Sequence, residues 1–179
     1  MAFSTECPPE RIVRNNGFVL YSDSEGTSGV CVETQCGESP YSGNACIKFQ
    51  NWKIWQGCEF VFNEGLQNGL DISKLYDDDY ALEFYIKNSD PTLEIHFTFQ
   101  SILDYDSWTV VDYGKDIRFD GELSSGEWTR VICPLKNFSC GPEWSSENYW
   151  KKLDRLTFWT ASDGRNDFYL DEIRIRKIL

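Results

Sequence analysis

The chain has 179 residues, a formal net charge of −12 and 41% hydrophobic residues. That is enough apolar material for a packed core, so intrinsic disorder is excluded, and the length suits one domain with decorated loops spanning 1–179. The acidity argues against nucleic acid and against an anionic membrane surface, both of which call for basic patches. It fits a neutral or cationic ligand or a bound cation, and equally a secreted protein that needs only solubility.

Strand-like segments follow one another along the chain at short intervals. They are "GFVLYSD" (17–23), "GVCVET" (29–34), "ACIKFQ" (45–50), "CEFVFN" (58–63), "YALEFYIKN" (80–88), "LEIHFTFQS" (93–101), "SWTVVDYG" (107–114), "WTRVICPL" (128–135), "RLTFWTA" (155–161) and "DFYLDEIRI" (167–175). Turn clusters such as "NSDP", "SSGE" and "SDGRND" lie between them. Only "LDISKLY" (70–76) and "SENYWKKL" (146–153) have room for a helical turn or two. The pattern predicts an all-β, two-sheet antiparallel sandwich, or jelly roll, with short helical turns in its loops and a core over about 17–176. No run of about twenty apolar residues is present to span a membrane. The opening "MAFSTECPPE" lacks the apolar core of a signal peptide, which fits a mature domain cut from a longer precursor.

Period-two alternation assigns faces within the strands. Tyr80, Leu82, Phe84 and Ile86 point one way, with Glu83, Tyr85 and Lys87 opposite. In the next strand Leu93, Ile95, Phe97 and Phe99 form the apolar row, with Glu94, His96, Thr98 and Gln100 opposite. If these two strands are neighbours, their polar rows share one sheet face. Leu156 and Phe158 take the core in "RLTFWTA", which sends Thr157 and Trp159 outward.

Seven Trp, nine Tyr and twelve Phe are more aromatic rings than a core of this size uses, so some Trp lie in loops or on a surface. Seven cysteines are also many, with no CxxC pair and only one His to complete a zinc site. "CVETQC" (Cys31, Cys36) and "CPLKNFSC" (Cys133, Cys140) have the form of short disulfide loops in an extracytoplasmic protein, the alternative being buried thiols. "NFS" at Asn137 is a glycosylation sequon, which counts only in a eukaryotic secretory route. Asp77, Asp78 and Asp79 read as a solvated loop before a strand and lack the ligand spacing of an EF-hand.

Four segments resemble one family group. "LDRLTFWTASDGRNDFYLDEIRI" is similar to the last hairpin of β-sandwich carbohydrate-binding modules and ends in their L/V-D-[DNE]-I form. "GEWTRVICPLKNF", "GLDISKLYDDDYALEFYIKN" and "FVLYSDS" resemble further segments of the same group, in the same order. The resemblance runs from about Phe18 to Ile175 and is to the galactose-binding-like jelly rolls that include family 11 modules and related glucan-binding domains. The cysteines of "CVETQCGESPYSGNAC" depart from that pattern.

The resemblance implies non-catalytic binding of a β-linked polysaccharide of the β-glucan, xyloglucan or mannan class on a concave sheet. It implies a secreted or cell-surface protein whose module targets an attached or partner glycoside hydrolase. The residue chemistry agrees: sugar rings present apolar C–H faces rimmed by hydroxyls, so a site combines flat aromatics with carboxylates, amides and imidazoles. Tyr85, Lys87, Glu94, His96 and Gln100 are the expected polar half, and Trp55, Trp108 and Trp159 the expected aromatic half. Trp108 alternates with Val110 and is open to a core reading, and His96 to that of a satisfied surface residue. Trp128 is expected to be structural, and Trp144 and Trp150 to wall one end of the groove.

Modules of the resembled group pin their first and last strands with calcium, which implies a structural ion held by Asp23 and Asp171 with a carbonyl near Asn44. Two other classes stay open. One is a protein-interaction or adhesion sandwich with a flat apolar patch. The other is a glycan-active enzyme using Glu83 and Glu94, although neither sits in a catalytic motif.

Overall fold

Alternating apolar rows need a second layer to bury them, and two packed sheets supply it. The computed structural model describes residues 13–15, 18–22, 29–33, 40–43, 46–50, 57–61, 70–104, 109–118, 126–138, 149–151, 153–160 and 167–178. The strands are β1 (Val13–Asn15), β2 (Phe18–Ser22), β3 (Gly29–Glu33), β4 (Cys46–Gln50), β5 (Gly57–Val61), β6 (Tyr80–Asn88), β7 (Glu94–Asp104), β8 (Thr109–Arg118), β9 (Trp128–Pro134), β10 (Arg155–Thr160) and β11 (Phe168–Lys177). A six-stranded sheet has the order β1-β2-β5-β10-β7-β8, and a five-stranded sheet the order β3-β4-β11-β6-β9. The pairings are antiparallel throughout the described residues, so the expected fold class is the observed one.

The expected short helical turns are present as α1 (Ser73–Asp77) and a 3-10 turn at Tyr149–Lys151, and a further 3-10 turn, Leu135–Asn137, follows β9. The strand β1 was not expected: three residues are too few to show alternation. The signal that finds it is Asn16-Gly17, since Asn15 pairs with Phe18 across those two residues and Asn-Gly is the preferred two-residue hairpin connection.

Leu82, Phe84 and Ile86 from β6 meet Ile95, Phe97 and Phe99 from β7 inside the sandwich, with Leu156 and Phe158 from β10 beside them. The rings of Phe84 and Phe97 touch across the two layers at a centroid distance of 4.8 Å. Phe97 and Phe158 pack edge to face within the six-stranded sheet at 4.5 Å, a favoured aromatic geometry. Trp150 is 3% exposed and lies 5.4 Å from Phe99, so it is core and does not wall a groove. Its backbone carbonyl accepts from the Ile72 N–H, which ties the 3-10 turn to the start of α1.

The contact between Phe84 and Phe97 corrects one expectation: β6 and β7 are not neighbours. They lie in different sheets and face each other across the core. The connection after Asn88 is an arch between the layers. Asn88 and Asp90 are buried and exchange two hydrogen bonds of 2.7 and 3.0 Å, and Asp90 Oδ1 accepts from both the N–H and the hydroxyl of Thr92. These bonds satisfy backbone that has left one ladder before joining the next.

Cys133 is also corrected. It stands in register with Leu82 on the inner row of β9, 5% exposed, as a buried thiol, and the expected loop to Cys140 does not form. The apolar pocket between the sheets is reason enough for its burial.

Candidate functional site: two outer faces

Because β6 and β7 belong to different sheets, their polar rows emerge on opposite sides of the sandwich. Glu94, His96, Thr98 and Gln100 lie on the outer face of the six-stranded sheet. Glu83, Tyr85 and Lys87 lie on the outer face of the five-stranded sheet. The expected single trough holding Tyr85 and Lys87 together with Glu94, His96 and Gln100 is therefore corrected to two separate surfaces. The enzyme reading loses its paired carboxylates for the same reason: Glu83 and Glu94 are on opposite faces.

On the six-stranded sheet, register sets the rows. Residue Trp159 of β10 pairs with His96 of β7 and with Gly57 of β5. Arg155 pairs with Gln100 and Val61, and Thr157 with Thr98 and Glu59. From β8, Asp116, Gly114 and Asp112 stand opposite His96, Thr98 and Gln100, and Arg118 opposite Glu94. Directly paired residues hold their Cβ atoms about 4.5–5.5 Å apart, so the members of each row lie side by side across the sheet.

Glu94, His96 and Gln100 are half-buried and reachable from solvent, whereas Thr98 and Thr157 are buried. The Thr157 hydroxyl donates to the Thr98 carbonyl at 3.3 Å. Short side chains in the central row thus lie beneath the rows on either side of them. Those flanking rows are four residues apart along each strand, about 13 Å at the usual rise.

Arg155 belongs to this face, a residue sequence reasoning missed. It is 8% exposed and held by Asp154, whose Oδ2 accepts from Arg155 Nε at 2.8 Å. The adjacent Asp-Arg pair was the available signal, but nothing in the alternation placed it beside Gln100. Of the expected aromatic half, Trp55 and Trp108 lie outside the described residues, as does Trp144.

The outer face of the five-stranded sheet has a different character. Glu83 is fully buried there beneath three arginines. Its carboxylate accepts from Arg130 Nε at 2.9 Å and from Arg130 Nη2, from Arg174 Nε at 3.0 Å and Nη2 at 2.6 Å, and from Arg176 Nη1 at 3.3 Å. Desolvation pushes the carboxyl up, but the hydrogen bonds from Arg130 and Arg174 outweigh it and hold Glu83 below the usual glutamate range.

A β-bulge in β11 makes this cluster possible. Asp171 pairs with Tyr85, but the register then shifts so that Arg174, not Ile173, stands opposite Glu83. A one-residue shift exchanges faces. It sends Arg174 and Arg176 outward and turns Ile173 and Ile175 toward the core. Glu172 takes φ of 50° at this point, the left-handed region that non-glycine residues rarely adopt.

At the other end of the same face, Tyr41 lies flat on Tyr85 with centroids 3.5 Å apart and planes 15° apart. Trp128 meets Tyr41 edge-on at 6.2 Å and is half-buried. A hydrogen bond with Tyr85, aided by desolvation, raises the Tyr41 hydroxyl above its ordinary pKa, while the charges of Arg130 and Arg174 pull it back.

Asp171 holds this arrangement. Its Oδ2 accepts from the Ser42 N–H at 3.0 Å and its Oδ1 from the Glu172 N–H at 2.7 Å. Gly43, at φ of 65°, then turns the chain where a side chain would be strained. Calcium wants six to eight oxygen ligands. The described residues supply no group of three or more metal-ligating side chains, Asp171 is engaged by two amides, and the other expected members, Asp23 and Asn44, lie outside the described residues.

The sequence matches the family carbohydrate binding domain 30 over residues 14–177. The chain belongs to that family. It is a non-catalytic carbohydrate-binding module, as the resemblance implied.

The fold is similar to that of a family 11 carbohydrate-binding module from Clostridium thermocellum, solved in complex with a β-1,3-1,4-mixed-linked tetrasaccharide. The TM-score is 0.59 at 17% identity, over 95% of this chain and 96% of that one. It is also similar to the family 30 module of the cellulosomal cellulase Cel9D-Cel44B of Clostridium thermocellum, with a TM-score of 0.58 at 15% identity over 87% and 86% of the two chains. A further family 30 module gives 0.61 at 16% identity over 88% and 87%. No curated protein sequence matches the chain significantly.

Proposed function

We propose that the module binds a β-linked glucan-type chain on the outer face of the six-stranded sheet, with Glu94, His96, Gln100 and Trp159 as the principal contacts. The observation that carries the reading is the β7–β10 register. It sets Trp159 beside His96 and Arg155 beside Gln100, on a face where Glu94, His96 and Gln100 are reachable from solvent.

Trp159 is the stacking platform for the C–H face of a pyranose ring, and the carboxylate, imidazole and amide orient its hydroxyls. Gly57, opposite Trp159, adds no side chain to compete for the space beside it. Arg155 acts from below, its guanidinium fixed by Asp154. The mixed-linked tetrasaccharide held by the family 11 neighbour supports the choice of ligand class, with xyloglucan and mannan as comparisons.

The proposal extends to context. The module is secreted or cell-surface and directs a glycoside hydrolase of the same polypeptide or complex to its substrate. A calcium ion shared by Asp23 and Asp171, and disulfides among the remaining cysteines, belong to it as well.

Affinity electrophoresis in gels containing mixed-linked β-glucan, xyloglucan or mannan tests the reading. The module is retarded by β-glucan, and Trp159→Ala restores free migration. Migration unaffected by all three polymers refutes the glycan class and leaves a partner protein as the ligand.

A further inference from the structure

The outer face of the five-stranded sheet carries chemistry that a neutral glycan on the opposite face does not use. On a chain of net charge −12, Arg130, Arg174 and Arg176 converge on one spot. Glu83 offsets one of these three charges, and Glu172, 3.1 Å from Arg174 Nη1, offsets another. Among the described residues these two carboxylates leave one of the three charges unmatched, and Lys177, which also acts on Asp79, lines the same cavity.

The three guanidinium side chains are 38–46% exposed. Among the described residues Arg130 bonds only to Glu83, through Nε and Nη2, and Nη1 makes no hydrogen bond among them. The cavity is about 200 Å³ and lined by Glu83, Arg130, Ile132, Arg176, Lys177 and Ile178. That volume is below the usual range for drug-sized ligands and suits one small charged group.

Aromatic rings stand beside these cations. Trp128 is two residues from Arg130 on β9, and Tyr85 pairs directly with Arg130. Tyr85 covers one face of Tyr41, and Tyr41 remains 46% exposed. Asp171 fixes the segment that carries Tyr41, so the platform is preorganised.

We propose that this face is a second glycan site, for an anionic pyranose such as a uronic acid in an acidic polysaccharide. The C–H face of the ring lies on Tyr41 against the edge of Trp128. Its carboxylate accepts from Arg130 Nη1, with Arg176 and Lys177 supplying further positive charge. A planar guanidinium matches a planar carboxylate, and the charge-assisted bonds select an acidic sugar over a neutral one. With two faces on opposite sides of the sandwich, one module tethers a neutral chain to an acidic one.

Titration calorimetry with trigalacturonate tests this at constant ionic strength. The wild type binds, and Tyr41→Ala and Arg130→Gln each weaken binding about tenfold or more, the scale of one lost stacking or charge-assisted contact. Trp159→Ala leaves trigalacturonate affinity unchanged, which separates this site from the glucan site. Tyr41 is exposed and in a loop, so Tyr41→Ala keeps the test valid even where Arg130→Gln unsettles Glu83. Absence of binding, or wild-type affinity in Tyr41→Ala, overturns the proposal. Equal affinity of wild type and Tyr41→Ala for both trigalacturonate and dextran sulfate also overturns it, because it reduces the site to unspecific anion attraction.

Discussion

Replacing Glu83 by Gln removes the one charge that holds three guanidiniums together. The carboxylate is fully buried and accepts from Arg130, Arg174 and Arg176. Gln keeps one acceptor oxygen, loses the charge and turns an NH2 toward a cation. Breaking a buried ion pair costs about 3–5 kcal/mol when the orphaned charge stays buried. Here the orphans are guanidiniums 38–46% exposed, which water rehydrates in part. The loss therefore falls to about 2–3 kcal/mol. For a domain of this size that is about 4–12 °C in Tm. Urea denaturation gives the free energy directly, with a lower midpoint and an unchanged m-value.

The sign of the pH dependence follows from the depressed pKa. Glu83 titrates below the ordinary glutamate value of 4.5 in the folded protein, so its contribution is complete above that value. It is lost as the pH falls through the lower folded pKa. The gap between wild type and Glu83→Gln is thus full at pH 7 and closes in strong acid. Equal stability at pH 7, or a gap that widens toward acid, refutes the reasoning.

Three further outcomes are expected. Trp150→Ala leaves a core cavity beside Phe99 and costs about 3–5 kcal/mol in urea unfolding, with glycan affinity unchanged in the folded fraction. A large loss of affinity without loss of stability returns Trp150 to the groove. The Cys133 thiol reacts with a thiol reagent only after unfolding, as its burial requires, and peptide mapping of the labelled native protein checks it. Chelation with EDTA lowers Tm by several degrees through loss of the proposed ion at Asp23 and Asp171, and an unchanged Tm removes calcium from the account.

The strands were legible because alternation is a local property. "YALEFYIKN" and "LEIHFTFQS" each show a clean period of two, and their apolar rows are the observed core. Which sheet each strand joins is not local. The residues between β6 and β7 suit a hairpin or an arch between layers, and the buried Asn88–Asp90 bonds that decide the matter depend on tertiary packing. That one ambiguity placed Tyr85 and Lys87 with the wrong partners.

The arginine cluster was hidden for a related reason. Simple alternation from Asp171 puts Ile173 and Ile175 on its face, and only the bulge at Glu172 substitutes Arg174 and Arg176. No glycine marks that bulge in the sequence. Tyr41 was invisible as well, since it reaches Tyr85 from a loop through a bond between Ser42 and Asp171 that spans 129 residues.

The chain's single histidine gives the most direct test of the central claim, because its ring yields one unambiguous set of NMR signals. Titrating a mixed-linked β-glucan tetrasaccharide into the protein shifts the His96 ring resonances and leaves those of Tyr41 and Tyr85 in place. Unmoved His96 signals alongside shifting Tyr41 and Tyr85 resonances would put the neutral glycan on the five-stranded sheet and contradict the account.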